Sequence, residues 1–350
     1  MSSQRIIAFI FPILLLTLYC SKTETPPPPA KSETKVEQKT IESDLEVRRQ
    51  FVAETEQHLD KEEFDELEKI ADGLTKNRDR FPGGDWKIDR FYEAIQPPTG
   101  YQTVIVNWPE RIAKLKKWIQ QKPDSIYANV ALGSAQAGDA WDTRGTGYGS
   151  DVSDDQMSKF KIKLKESETT LNKMYKNRNK CVHWYRAMQT VGLGLGYDPD
   201  AMLNLLNQAI ATEPLYWSVY NAHAMYLLPR WYGDEGEWLR FAEAYSNKIG
   251  GDEGDILYSE ICWRTSRAYS VSEFFKDKNI SWPRIKKGFK ARWQKYGVSV
   301  RYLNAYCVLA GGIGDKQTAR VIFNRIGDQW EPDFWKDKKY FDGYKKWASE

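Results

Sequence analysis

The chain has 350 residues, with 51 Lys and Arg against 48 Asp and Glu, a net charge of +3. So small a surplus excludes the strong basic excess of a nucleic-acid-binding protein. A hydrophobic share of 41% with 14 Trp, 20 Tyr and 14 Phe excludes wholesale disorder, and four Cys exclude a small disulfide-stapled scaffold.

The chain opens with a short polar start carrying Arg5, then a mostly apolar run, residues 6–19. As a helix that run rises only about 21 Å, short of the roughly 30 Å hydrocarbon core, so it reads as a secretory signal rather than an anchor. Leu16-Thr17-Leu18-Tyr19-Cys20 resembles a bacterial lipoprotein signal, which implies cleavage before Cys20 and a diacylglycerol thioether on its sulfur. An ordinary signal with a chance Cys is the alternative. Residues 21–43 contain no aromatic residue, four consecutive prolines (26–29) and interspersed Lys and Glu. This composition buries no core and is expected to stay extended. The organisation is therefore residues 1–19 as signal peptide, 20–43 as lipidated Cys and disordered stalk, and 44–350 as a helical body. Of the other cysteines, Cys181, Cys262 and Cys307, only one pair can bridge; they read as small buried side chains.

Helix punctuation recurs along the body. Asn107-Trp108-Pro109-Glu110 opens a helix with Ile112, Leu115, Trp118 and Ile119 on one stripe. After Lys122-Pro123-Asp124-Ser125, Tyr127, Val130, Ala131, Ser134 and Ala135 form the next stripe. Asp198-Pro199-Asp200 starts a helix with Met202, Leu205, Leu206, Ala209 and Ile210, and Glu213-Pro214 ends it. Tyr216, Val219, Tyr220, His223, Ala224 and Leu227 follow at the same spacing, which places His223 in the core. Ser281-Trp282-Pro283 echoes Asn107-Trp108-Pro109, a sign of internal duplication. Asp315 opens a helix with Ala319, Ile322, Phe323 and Ile326. Only residues 101–106 read as β-branched, and no βαβ alternation exists. The fold expected is all-α, a tetratricopeptide-like array of helical hairpins forming an α-α superhelix, with six or seven pairs.

Several stretches resemble the bacterial domain of unknown function 4034 family: Arg80-Phe81-Pro82-Gly83-Gly84-Asp85-Trp86-Lys87, Ala140-Trp141-Asp142-Thr143-Arg144-Gly145-Thr146-Gly147-Tyr148, His183-Trp184-Tyr185, Leu228-Pro229-Arg230-Trp231-Tyr232-Gly233 with Gly236-Glu237-Trp238, and Arg325-Ile326-Gly327-Asp328. The likeness spans most of residues 64–335. It implies a tetratricopeptide-type helical protein, often secreted or lipidated, and no established activity.

Trp141, Arg144, Tyr148, His183, Tyr185, Arg230, Trp231, Tyr232, Glu237 and Trp238 form the candidate binding set. They sit near helix ends and glycine-bearing loops, where rings can stack on a ligand and Arg144 and Arg230 can fork onto a carboxylate or phosphate. The competing reading is that they rivet adjacent hairpins. Gly145, Gly147 and Gly149 are expected to serve positive-φ turns. His183 is the best general-base candidate, with Glu237 or Glu260 as its carboxylate. No HExxH, G-x-S-x-G, Walker A or dinucleotide fingerprint occurs, so no metal, cofactor or catalytic residue is assigned. The expectation is a non-catalytic protein, lipid-anchored to the outer membrane or cell surface. It would meet the membrane through Cys20 and bind a protein or peptide in its groove. An envelope glycan (peptidoglycan) and a hydrolytic role for His183 are the alternatives, and nucleic acid is not a partner.

Overall fold

The capping residues do in the structure what their chemistry requires. In the computed structural model, which describes residues 31–96, 106–269, 271–277 and 279–350, Asp198 accepts from the Ala201 N–H at 2.8 Å, Ser125 from Ala128 at 2.9 Å and Asp315 from Thr318 at 2.9 Å. Each satisfies one of the donors that a helix start leaves open. The signal run, Cys20 and residues 101–105 lie outside the described residues.

Three helices lead: α1 (Lys31–Asp60), α2 (Phe64–Asn77) and α3 (Lys87–Ile95). Hairpins follow: α4 (Trp108–Gln121) with α5 (Ile126–Arg144), α6 (Asp154–Asn172) with α7 (His183–Leu195), α8 (Pro199–Thr212) with α9 (Trp217–Tyr226), and α10 (Glu237–Ile249) with α11 (Gly251–Ser266). After the short α12 (Val271–Phe274) come α13 (Trp282–Tyr296) with α14 (Val300–Ile313), and α15 (Lys316–Ile326) with α16 (Lys338–Ser349). No strand occurs among the described residues; Arg80 and Trp86 share one isolated bridge. The chain is all-α, with helices stacked on their neighbours as in a helical repeat array. The Trp echo has a physical partner. The Trp108 indole donates to Asp142, 34 residues on, at 2.7 Å, and the Trp282 indole to Asp315, 33 residues on, at 2.8 Å. The second tryptophans diverge: the Trp118 indole donates to Glu68 at 2.9 Å, whereas the Trp293 nitrogen is buried without a partner.

Two expectations change, and a third is met. Residues 31–43, read as extended stalk, belong to α1. No proline lies between Pro29 and Pro82, and the straight-chain Lys, Glu and Gln of this stretch are good helix formers. Of Gly145, Gly147 and Gly149, only Gly145 takes a positive φ, 77°, where it closes α5. Cys181, Cys262 and Cys307 are buried free thiols, and burial pushes the Cys181 thiol up to about 11.

α5, α7, α9, α11 and α13 pack in sequence as an inner row. α5, α11 and α14 are buried around nearly their whole circumference. The side of the inner row away from the outer helices is covered by α1, α3 and the loop of residues 78–87 between α2 and α3. Phe81 sits edge-on to Phe51 of α1. The Arg80 guanidinium lies 4.2, 4.6 and 4.9 Å from the ring centres of Trp86, Trp217 and Tyr296, and it donates to Leu215 O at 3.0 Å. The Gly83 N–H donates to Tyr296 O at 3.0 Å, and Gly83 O accepts from Arg292. Asp85 is buried, accepting from Arg48 at 2.7 Å and from the Tyr302 hydroxyl. The RFPGGDWK stretch thus closes the array onto itself.

The two glycines make this close approach possible. Gly83 and Gly84 have φ of 80° and 84°. A Cβ on Gly84 would stand 2.8 Å from both Trp217 and Tyr296. Left-handed strain and overpacking act together at this site. Gly84→Ala is therefore expected to destabilise by about 2–4 kcal/mol in urea titration. A loss below about 0.5 kcal/mol would show that the loop does not hold this position.

Candidate functional site

Three helices each turn one face toward a common, partly open space. The residues follow i, i+3 or i+4, i+7 spacing: Asp89, Tyr92, Glu93 and Gln96 on α3; Ser134, Ala137, Gly138 and Trp141 on α5; and His183, Arg186, Ala187 and Thr190 on α7. Ser218 of α9 completes the lining, and the cavity measures about 270 Å³. Its two ends differ in character. At one end Asp89 accepts from the hydroxyls of Tyr216 and Ser218 and faces His183 Nδ1 at 3.2 Å. The Tyr216 hydroxyl lies 2.7 Å from the same nitrogen, and the Tyr92 ring stacks on the imidazole at 4.2 Å and 13°. The other end carries Trp141, which packs over Gly194, and Gln96, which lies over Gly138. From Ser134 to Trp141 the helix rises about 10 Å, so the space is a slot rather than a sphere.

The electrostatics of the slot follow from burial. Tyr216 is held well above the ordinary phenol range, by burial first and by the Asp89 charge second, so it stays a donor. Burial lowers Arg186 from the usual guanidinium value, against the opposing pull of Tyr216, Asp89 and Glu93. Its hydrogen-bond partner is the Thr190 hydroxyl, and no carboxylate pairs with it among the described residues. Glu93 pairs with Arg90. Ser134, only 4% exposed, leaves its hydroxyl without a partner, and so does the indole nitrogen of Trp141. Other buried polar atoms, among them Ser246 Oγ, Trp217 Nε1 and Trp293 Nε1, are unpartnered too; these two differ in lying on residues that line the slot. His183, with its side chain 12% exposed, is oriented through Nδ1, and its Nε2 makes no hydrogen bond among the described residues.

The sequence-derived set divides into three groups. Trp141 and His183 line the slot. Trp141, Arg144, Tyr148, Arg230, Trp231 and Tyr232 gather just beyond it, where α5 ends and the α9–α10 loop passes. Trp141 meets Trp231 edge-on at 5.5 Å, and the Arg144 guanidinium lies 5.7 and 5.6 Å from their ring centres. Arg230 lies 5.9 Å from both Tyr148 and Trp231, and Tyr232 stacks on Tyr226 at 4.9 Å. The remaining three serve the fold. Trp238 is 4% exposed and stacked on Phe274, Tyr185 is buried with its hydroxyl on Asn179, and Glu237 accepts from the Asp234 N–H at the start of α10. The carboxylate beside His183 is Asp89, not Glu237 or Glu260. Glu260 is buried against Arg264 and Arg292 at 2.8 and 2.6 Å.

Sequence reasoning passed over Asp89, Glu93, Gln96, Arg186, Thr190 and Ser218. One signal was available. In α3 the stripe Ile88, Phe91, Tyr92 and Ile95 is buried, and Asp89, Glu93 and Gln96 repeat at helical spacing beside it. Among the described residues, no group of His, Cys, Asp and Glu could hold a metal ion, and no helix is long and apolar enough to cross a membrane. Comparison with family models, curated proteins and solved structures finds no match to this chain.

Proposed function

We propose that the protein is a non-catalytic binding protein of the cell envelope, tethered through a lipid on Cys20, that holds one saccharide unit in the slot among α3, α5, α7 and α9. The observation that carries this reading is the pair of buried, unpartnered polar atoms, Ser134 Oγ and Trp141 Nε1, on residues that line the slot. The same lining supplies carboxylates, an amide, a guanidinium and aromatic rings. A sugar hydroxyl both donates and accepts, which suits so mixed a lining. A volume of about 270 Å³ lies just below the ~300–1,000 Å³ usual for small-molecule sites, enough for one ring and not for a chain. An extended peptide would need the inner face that α1, the 78–87 loop and α3 cover, so the geometry favours the glycan reading over the peptide one.

The test is a titration of the intact protein with N-acetylglucosamine, read by tryptophan emission. A saturable change is expected in the parent protein. It should be abolished in Ser134→Leu, which fills the slot. Glu93→Gln, at a half-exposed wall, should weaken it about tenfold, with a small fall in melting temperature from the loss of the Arg90 ion pair. No saturable change in the parent, or equal affinity in both variants, overturns the proposal.

A further inference from the structure

Beyond Trp141, two guanidinium groups, neither of them ion-paired among the described residues, lie against the same indole ring, that of Trp231. Arg144 ends α5 and donates to the carbonyls of Gly145 and Gly147, at 3.1 Å each. Arg230 leaves the α9–α10 loop and makes no ion pair among the described residues. Both lie within 6 Å of the centre of one ring, Trp231, at 5.6 and 5.9 Å. Asp142, the nearest acid along α5, is engaged by the Trp108 indole at 2.7 Å.

Several buried and half-buried arginines elsewhere are ion-paired. Arg48, Arg90, Arg264, Arg284, Arg292 and Arg301 each sit within ion-pair distance of a carboxylate. Arg80, Arg111 and Arg186 are instead satisfied by backbone carbonyls or a hydroxyl. Arg144 and the exposed Arg230 likewise lack a carboxylate among the described residues, and they share one aromatic ring. Holding two like charges together is unfavourable unless something neutralises them. Trp141 and Trp231 leave Arg144 partly buried, which adds to that cost. Burial lowers Arg144 from the ordinary guanidinium value first, and the charge of Arg230 lowers it further.

We propose that Arg144 and Arg230 form a binding site for a phosphate group. Two planar forks match the oxygens of a phosphate and balance its double charge, and cation–π contacts with Trp231 fix their orientation beforehand. Tyr148, 71% exposed, and Tyr232, 45% exposed, stand beside the pair to cover whatever carries the phosphate. The group is either a free phosphate or a lipid headgroup. This site does not rest on the saccharide reading, since none of its evidence comes from the lining at Asp89, Ser134 or Arg186.

The test uses the full chain carrying Cys20→Ser, so that no lipid contributes to membrane association. Inorganic phosphate is titrated by calorimetry, and in a second arm the protein is sedimented with vesicles of phosphatidylcholine alone or mixed with phosphatidate. Binding is expected in at least one arm, weakening about tenfold in Arg144→Gln and in Arg230→Gln. Arg144→Lys, which keeps charge but not the fork, should bind at an intermediate level. Arg178→Gln, at a distant guanidinium stacked on Tyr175, should bind as the parent does. Sedimentation with phosphatidate vesicles without calorimetric binding identifies the headgroup as the source; the reverse identifies free phosphate. Melting temperature is followed throughout, and a weakening that appears in a variant melting like the parent supports the site. No binding in either arm, or the same loss in Arg178→Gln, overturns the proposal.

Discussion

Asp85→Ala is expected to lower the unfolding free energy by about 3–5 kcal/mol, the cost of leaving buried cations without their partner. Three guanidiniums face this carboxylate: Arg48 at 2.7 Å, Arg292 at 3.8 Å and Arg90 at 3.9 Å. The Tyr302 hydroxyl donates to it as well. Asp44 and Glu260 retain Arg48 and Arg292 in the variant, which keeps the loss from growing further. Even so, the net charge of the interior rises by one at a site that water does not reach. In a chain of this size the melting temperature should fall by roughly 10 °C. Burial acts to raise the Asp85 carboxyl, but the charges of Arg48, Arg90 and Arg292 outweigh it and hold the group well below the ordinary carboxylate range. A depressed carboxylate stabilises fully above its unfolded value, about 3.9, and that contribution disappears as the pH falls below it. Urea titrations of the parent between neutral pH and pH 2 should therefore steepen below about pH 4, and Asp85→Ala should be flatter there. Equal stability of the two proteins at neutral pH would refute the assignment of Asp85 as the central counter-ion.

His223 should produce a second pH dependence in a different window. Its ring is 4% exposed, lies 5.0 Å from Phe241 and 6.0 Å from Tyr226, and has no partner on Nδ1. Burial lowers it from 6.5 to about 4. The folded protein therefore holds the neutral imidazole, while the unfolded chain takes up a proton near pH 6.5. Stability is complete above that value and declines as the pH falls from about 6.5 toward 4. Two and a half pK units correspond to about 3 kcal/mol. His223→Phe keeps the aromatic packing and removes the proton. Its stability should be level across this interval where the parent's declines. A parent curve that is level between pH 6.5 and 4.5 would sink the argument.

The array was legible because its cues are local. Caps such as Asp198 and Asp315 and stripes such as Ala319, Ile322 and Phe323 act within one or two turns, so they can be read from adjacent letters. The position of His223 followed from the same stripe logic. Two kinds of information were not local. Asp89 is an ordinary surface acid by its neighbours in α3, and only the arrival of α7 and α9 makes it the anchor of His183, Tyr216 and Ser218. Trp238 and Tyr185 looked like ligand-facing aromatics because loops surround them. Composition says nothing about Phe274 or Asn179, which bury them. The cluster around Arg144 and Arg230 was within reach because both arginines sit beside tryptophan and glycine in the chain. The lack of acid around them is visible only in three dimensions.

The loop that joins α2 to α3 has a consequence for how the molecule comes apart. In an open solenoid, stability is a sum over repeats and nearest-neighbour interfaces, and the ends can fray separately. Here the bond from Tyr302 to Asp85 links positions 217 residues apart. Losing α13 and α14 sets that loop free, and losing the loop uncovers Arg292, Tyr296 and Tyr302. The N-terminal loop and the α13–α14 region are thus expected to come apart together, while hairpins such as α4–α5 and α6–α7 hold contacts of their own.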